Sequence, residues 1–367
     1  MCIRDRIKSG DPSKLVVIID EAQFVAKRDT SFMEAVAKLK KHKLYPGPVL
    51  IILATSSTVW ATQEAAEQFK GAEMKLGSLN FLEVVRHFES LPVAEIVRIY
   101  GAIGGVPAYL DKWDAAKSFK DNICRLVLTP SGALYGEADA VISAELRELS
   151  AYSTILAAIA RGENKLNDIF HATGFSRAKI SVYLKNLATF NIVEKVVSFE
   201  TGGWENAKKG VYQIKDTFVN FWFKFVYPNM SNLYLLSPEE FYDTYIEKEL
   251  DAYLERYFRE VCTEYLLILN QMGQLPFTIK RVGTWIGKTG RIDIVAQSED
   301  RRSIIGFCNW DKPMMTMDMC ENMAMAMDQA RLTSDDYYLF SATDFEPALQ
   351  SYVVRDPRFK LINMNEL

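Results

Sequence analysis

The run Leu15-Val16-Val17-Ile18-Ile19-Asp20-Glu21-Ala22-Gln23 constrains this chain more than any other stretch. Five apolar residues, mostly β-branched, read as a strand, and the absence of polar alternation reads as a strand buried on both faces of a parallel sheet. The strand ends in two adjacent acids. In an open α/β sheet, ligands bind beyond the carboxyl ends of the strands, so Asp20 and Glu21 stand where chemistry is expected. In phosphoryl transfer the first acid holds a magnesium ion through water and the second polarises the attacking water. A helix is expected over 30–42, where Lys38, Lys40, Lys41, His42 and Lys43 read as a solvated end. A second buried strand over 49–54 ends in Thr55-Ser56-Ser57, hydroxyls placed to sense a terminal phosphate.

Composition excludes several classes. The 367 residues are 49% hydrophobic and 25% charged, within the ordinary range for a globular chain. No apolar run approaches the roughly 18 residues that a membrane span needs. Residues 1–14 are polar with mixed charges and lack an apolar signal core, which predicts a protein that is not secreted. Cysteines at 2, 124, 262, 308 and 320 form no C-x-x-C pair, so reduced thiols in the cytoplasm are expected rather than a zinc site or a disulfide frame. The three histidines, 42, 87 and 171, have no ligand spacing. A net charge of −4 excludes a chain that coats nucleic acid over its whole surface.

Residues 146–215 read as a separate module. Helical runs at 151–161 and 165–173, a turn at Gly174 and an N-cap at Ser176 lead into a third helix ending near Leu187. Strand-like runs at 192–199 and 210–214 flank a loop with Gly202 and Gly203. Three helices and a hairpin make the pattern of a winged helix-turn-helix. From 151 to 215 there are nine Lys or Arg against five acids, a net +4 that leaves −8 for the rest of the chain. Arg177, Lys179, Ser181 and Lys185 fall on the third helix, and Lys208 and Lys209 fall in the wing. These are the candidates for DNA contact. The competing reading is a module that packs within the protein and touches no DNA. The aromatics at 218, 221, 222, 223 and 225 read as core or as an interdomain contact.

The ordered set of D-E-A-Q, a strand ending in small hydroxyl residues, and Gly104-Gly105-Val106-Pro107-Ala108-Tyr109-Leu110 resembles the archaeal-type ATPases, P-loop proteins related to the AAA and STAND groups. The resemblance spans nearly the whole chain. It implies an α/β multi-domain protein: the distal part of a P-loop ATPase domain over 1–80, a helical lid over 81–145, a winged helix-turn-helix over 146–215, a helical linker over 216–245, and a restriction-endonuclease-like α/β domain over 246–367. It implies ATP and Mg2+ as cofactors, with Glu21 catalytic and Asp20, Thr55 and Ser56 on the nucleotide. The family's G-x-x-x-x-G-K-[ST] loop, which cradles the phosphates, does not precede the D-E strand here. The expectation is therefore a chain truncated before its P-loop, or one that has lost nucleotide binding and acts as a DNA-binding or scaffold protein.

Nucleases of the C-terminal fold need a helical acid, an acid at a strand end and an E-x-K on the next strand. Glu260 and Asp293 match the first two. Phe307 and Asn309 occupy the E and K places, so a dead site is expected. Lys312 lies three positions beyond Asn309 and on a continued strand would face the wrong way. Seven methionines between 314 and 327 read as a helix packed on the sheet rather than a thioether metal site.

Overall fold

The computed structural model describes residues 14–41, 48–57, 59–69, 71–144, 146–199, 210–287 and 290–367. The chain is a mixed α/β protein that divides into two compact units, Met1–Gly77 and Ser78–Leu367.

In the first unit, β1 (Leu15–Ile19) leads into α1 (Ala22–Arg28) and α2 (Phe32–Lys41), and β2 (Val49–Leu53) returns parallel to β1. The register is Leu15↔Val49 through Ile19↔Leu53, so both strands end level with each other. Ile19 and Leu53 pack against a small core of Ala22, Met33, Trp60 and Ala65. The expectation of burial on both faces is corrected here. Val16 and Ile18 on β1 are 46% and 66% exposed, and their register partners Leu50 and Ile52 are 44% and 40% exposed. Among the described residues of this unit the sheet has two strands, and its helices and the Trp60 turn cover one face only. The apolar runs therefore bury alternate side chains, although the sequence carries no alternation.

The second unit begins with a helical region. Asn80 caps α3 (Phe81–His87) in a reciprocal box with Glu83. The Phe81 and Leu82 N–H groups donate to the Glu264 carboxylate, each at 3.1 Å, so an acid from a distant helix completes the cap. After α4 (Val93–Ile103) the G-G-V-P stretch makes a tight corner. Gly104 stops the helix at φ 68°, and a Cβ on Gly105 would lie 1.9 Å from the Leu79 carbonyl oxygen. Only glycine fits both positions. Tyr109 then reaches Glu137 with its hydroxyl at 2.7 Å.

Three helices follow, α5 (Leu149–Ala160), α6 (Leu166–Thr173) and α7 (Arg177–Thr189), then an antiparallel pair, β3 (Val193–Val196) and β4 (Val211–Ile214). Gly174 ends α6 at φ 70°, and the Ser176 hydroxyl accepts from the Lys179 N–H at 3.3 Å to start α7. Residues 200–209, which carry the expected wing residues Lys208 and Lys209, lie outside the described residues. The aromatics Phe218, Phe221, Trp222, Phe223 and Phe225 are core, at most 2% exposed.

A long helix, α8 (Glu247–Gln271), packs on a five-stranded sheet formed by β5 (Arg281–Ile286), β6 (Arg291–Gln297), β7 (Ser303–Asn309), β8 (Asp336–Ser341) and β9 (Phe359–Asn363), in the order β9-β8-β7-β6-β5. The first three strands are antiparallel and the last two join in parallel. The run Phe277 to Val282 reads in the sequence as a strand, and β5 starts later, at Arg281. The Asn270 side chain accepts from the Ile279 N–H at 2.7 Å and donates to its carbonyl at 3.3 Å, occupying the groups a ladder would use. α9 (Met317–Ala330) carries five of the methionines; Met323 and Met327 are buried with Ile292, Val295, Ile305 and Leu339 of the sheet.

Candidate functional site

The parallel register of β1 and β2 brings Asp20 and Glu21 level with Thr55 and Ser56. Their backbones are tied by Ala54 N–H to Ile19 O and Ala22 N–H to Ala54 O, each at 2.9 Å. Glu21 turns the chain from strand to helix at φ 47°, ψ 44°. A left-handed conformation at a non-glycine residue costs on the order of 1–3 kcal/mol and persists where surrounding contacts hold it. Those contacts are visible. The Glu21 carboxylate accepts from the Ser56 hydroxyl at 2.8 Å, from the Ser56 N–H at 3.3 Å and from the Gln23 amide. Gln23 also donates to the Ser56 hydroxyl at 3.2 Å and accepts from the Thr55 hydroxyl at 2.6 Å.

Gln23 is 2% exposed and touches every polar partner in this cluster except Asp20. It belongs to the D-E-A-Q motif, yet residue type and spacing gave it no role. Its signal was an amide at the second position of a helix that follows a strand end, where a buried polar group needs partners. The donors from Gln23 and then Ser56 hold the Glu21 carboxyl below its ordinary 4.5. Glu21 is thus ionised at neutral pH and supported by neutral donors rather than by a cation. Asp20 is exposed, and one of its oxygens accepts from the Glu21 N–H at 3.0 Å. The other is open to solvent chemistry, which suits an acid that holds a hydrated divalent ion.

Among the described residues no phosphate cradle joins this arrangement. The nearest approach in sequence is Gly283-Thr284-Trp285-Ile286-Gly287-Lys288-Thr289, one residue short of a phosphate loop. Gly283 to Ile286 lie in β5, Ile286 pairs with Arg291, and the Gly287 N–H donates to the Gly290 carbonyl at 2.9 Å. That is a hairpin, without the strand-to-helix turn that aims successive N–H groups at an anion.

On α7, Ile180, Tyr183, Leu184 and Leu187 face the core. Arg177, Lys179, Ser181 and Lys185 are exposed. The Arg177 guanidinium lies 4.2 Å from the Phe170 ring centre, and its Nε donates to Asn167 at 3.0 Å. The Lys179 ammonium lies 4.4 Å from the Phe175 ring centre. Both cations are held in place without losing access to water.

The acids of the C-terminal sheet are arranged differently. Asp293 is 8% exposed, and one carboxylate oxygen faces Arg291 Nε at 3.2 Å and Arg259 Nε at 3.7 Å. Its other oxygen accepts from the Cys308 N–H at 3.1 Å. Burial and then the nearby Arg259 charge make Arg291 less basic than an ordinary guanidinium. Glu260 pairs with Arg256 at 2.8 Å, and Arg256 in turn donates to the Ile214 carbonyl at 2.8 Å. The helical acid that feels Asp293 is Glu255, whose carboxyl is pushed up by burial and then by the charges of Asp311 and Asp293. Sequence spacing did not single out Glu255, since any acid one turn away fits a helical motif equally well.

Phe307 packs with the apolar cluster of the α9 side. The Asn309 amide donates to Ser341 at 3.0 Å, Thr343 at 3.1 Å and the Lys312 carbonyl at 3.2 Å, so it serves as an internal brace. β7 stops at Asn309, so strand parity does not reach Lys312, which pairs with Asp311 at 2.9 Å. Among the described residues no group of three or more His, Cys, Asp or Glu is disposed to hold a metal ion. No described helix is long and apolar enough to cross a membrane.

Residues 222–325 match the model of a family described as archaeal and bacterial proteins of unknown function. An uncharacterized protein of Methanocaldococcus jannaschii, MJECL04, is 28% identical over 303 residues, covering 80% of this chain and 67% of that protein. Among solved structures, the crystal structure of protein VC1899 from Vibrio cholerae aligns over 96% of this chain and 88% of its own at 10% identity, with a TM-score of 0.24. That likeness is too slight to assign a fold.

Proposed function

We propose that this chain carries the acid-bearing part of an ATP-hydrolysing domain of the archaeal-type kind, coupled to a winged helix-turn-helix over 146–215 that contacts DNA. The observation that carries the reading is the strained, hydrogen-bonded Glu21 beside Asp20 at the level ends of two parallel strands. An unfavourable backbone conformation supported by side chains from the neighbouring strand is expected where position matters for chemistry.

In this reading Asp20 holds Mg2+ through water, and the ion neutralises charge on the phosphates of ATP. Glu21 stays ionised and accepts a hydrogen bond from the attacking water, which aligns it. Gln23 fixes the Glu21 carboxylate against Ser56 and Thr55, so that the two strand ends move as one. The fit to ATP is incomplete within these 367 residues, because nothing in them supplies the N–H cradle and lysine for the phosphates. The C-terminal domain is read as a nuclease-like scaffold without metal chemistry, since arginines stand where cations would bind Asp293.

Calorimetry with Mg-ATP tests this. The 367-residue chain by itself is expected to bind weakly or not at all. A version with a phosphate-loop segment supplied upstream is expected to turn ATP over and to lose about 10²–10⁴-fold in turnover with Glu21→Gln. Tight ATP binding by the 367 residues alone overturns the missing-cradle reading. No ATP turnover by that extended version favours the alternative, a non-catalytic DNA-binding or scaffold protein.

A further inference from the structure

We infer that the exposed stripe of α7 reads DNA through thymine methyl groups, with Val182 as the principal reader. The inference rests on the reading of 146–215 as a DNA-binding module and adds what that module would recognise.

The exposed residues of α7 include Ala178, Ser181, Val182, Lys185 and Thr189. They recur at helical spacing and form one stripe opposite the buried Ile180, Tyr183, Leu184 and Leu187. Val182 is the large apolar side chain of this stripe and is 57% exposed. The stripe holds no Asn, Gln or Arg, and Lys185 is its one side chain able to read a purine with paired hydrogen bonds. Beyond Lys185 it offers methyl groups and the hydroxyls of Ser181 and Thr189. The only methyl on a base edge in the major groove is that of thymine.

Two observations favour DNA over a protein partner on this face. First, the stripe is small: Ala178, Ser181 and Val182 lack the bulky aromatic or arginine anchors that dominate protein interfaces, and small side chains let base edges come close. Second, cations flank its amino-terminal end in fixed positions. The Arg177 guanidinium lies over Phe170 at 4.2 Å with its Nε engaged by Asn167, which leaves the terminal nitrogens to donate. Lys179 sits over Phe175 at 4.4 Å and Tyr183 at 5.3 Å. Pre-positioned charges beside a stripe whose one charge is Lys185 match a duplex, whose phosphates flank an uncharged groove floor. The surrounding residues 151–215 carry a net +4.

The test compares two 24-base-pair duplexes, alternating A and T, and the same with deoxyuridine for thymidine. The substitution removes only the base methyl. Wild-type protein is expected to bind the thymine duplex about fourfold more tightly for each methyl it buries, the factor for one methyl-sized group. Val182→Ser is expected to bring the ratio close to one. Val182 is largely exposed, so the variant keeps its fold, and circular dichroism checks this. Arg177→Glu with Lys179→Glu is expected to weaken both duplexes alike and keep the ratio. The slope of log affinity against log salt should become shallower by about 0.9 for each phosphate that the variant no longer neutralises. Equal binding of both duplexes by the wild type overturns this inference and leaves DNA binding intact. A ratio unchanged in Val182→Ser overturns the role of Val182. No binding to either duplex overturns the DNA reading itself and makes the α7 stripe a protein-docking face.

Discussion

Glu21 and Asp293 are both acids at strands of α/β sheets, and their surroundings are opposite. Glu21 sits at a strand end, partly exposed, and is supported by a serine, a backbone N–H and a glutamine. Asp293 is buried and faces two arginines. Neutral donors fix an anion in place and leave its charge available to a cation or a water molecule. Arginines use that charge up. Any metal at Asp293 must compete with guanidinium groups held at 3.2 and 3.7 Å, whereas none of the described partners of Glu21 is a cation. The same residue class is therefore open to chemistry in one sheet and structural in the other.

The largest expected effect that tests this contrast is on stability. Asp293→Ala leaves Arg259, 14% exposed, beside Arg291 with only Glu255, at 3.9 Å, as an acidic partner. Removing one partner of a buried pair costs about 3–5 kcal/mol, and the lower end applies because Arg291 retains contact with water. Thermal unfolding should show a clear drop in midpoint for Asp293→Ala and little change for Glu21→Gln. Equal midpoints would remove the contrast.

A smaller effect is expected at Gln23. Gln23→Ala removes the bonds that join Glu21, Thr55 and Ser56 and costs about 1–3 kcal/mol through the polar groups left unsatisfied. Hydrogen exchange should accelerate in residues 14–77 and stay unchanged in 210–367. Unchanged exchange around Glu21 would show that the amide does not hold the site.

A third effect is one of sign. The lowered carboxyl of Glu21 contributes stability that is present above its ordinary 4.5 and is lost as pH falls through its folded value. Asp216, at the start of the aromatic bridge, is raised above its ordinary 3.8 by burial, with Glu137 adding to it. It opposes folding at neutral pH, and that opposition is relieved as pH falls through its raised folded value toward 3.8. Mild acid should thus slow exchange near Asp216 before it speeds exchange near Glu21. Asp216→Asn should abolish the first change and leave the second.

The smallest expected effect is none. Plasmid incubated with the protein and magnesium or manganese should show no nicking above a control lacking protein, because Phe307 and Asn309 supply neither a metal ligand nor a lysine. Nicking that disappears in Asp293→Ala would place Asp293 with Glu21 among the reactive acids.

Much of the local architecture was legible in the amino-acid order. The β-branched runs at 15–19 and 49–53 became strands, Ser176 became an N-cap, and Gly104-Gly105 became a corner. These features depend on residues within about one helical turn or one strand of each other, and propensity and capping act at that range. Two readings of local pattern did not hold. The apolar runs predicted burial on both faces, which depends on how many layers cover a sheet. The strand expected at 277–282 began late because Asn270 took the backbone groups of Ile279.

What the amino-acid sequence determined by itself was the presence of Asp20 and Glu21 after an apolar strand, the lack of E-x-K at 307–309, and the concentration of positive charge over 151–215. Only the tertiary structure decided which charges were spent. It paired Asp293 of β6 with Arg259 from α8, and closed Gln23 onto Thr55 and Ser56 just beyond the neighbouring strand. Charge compensation depends on distance through space between elements far apart in the chain. No spacing within one element encodes it.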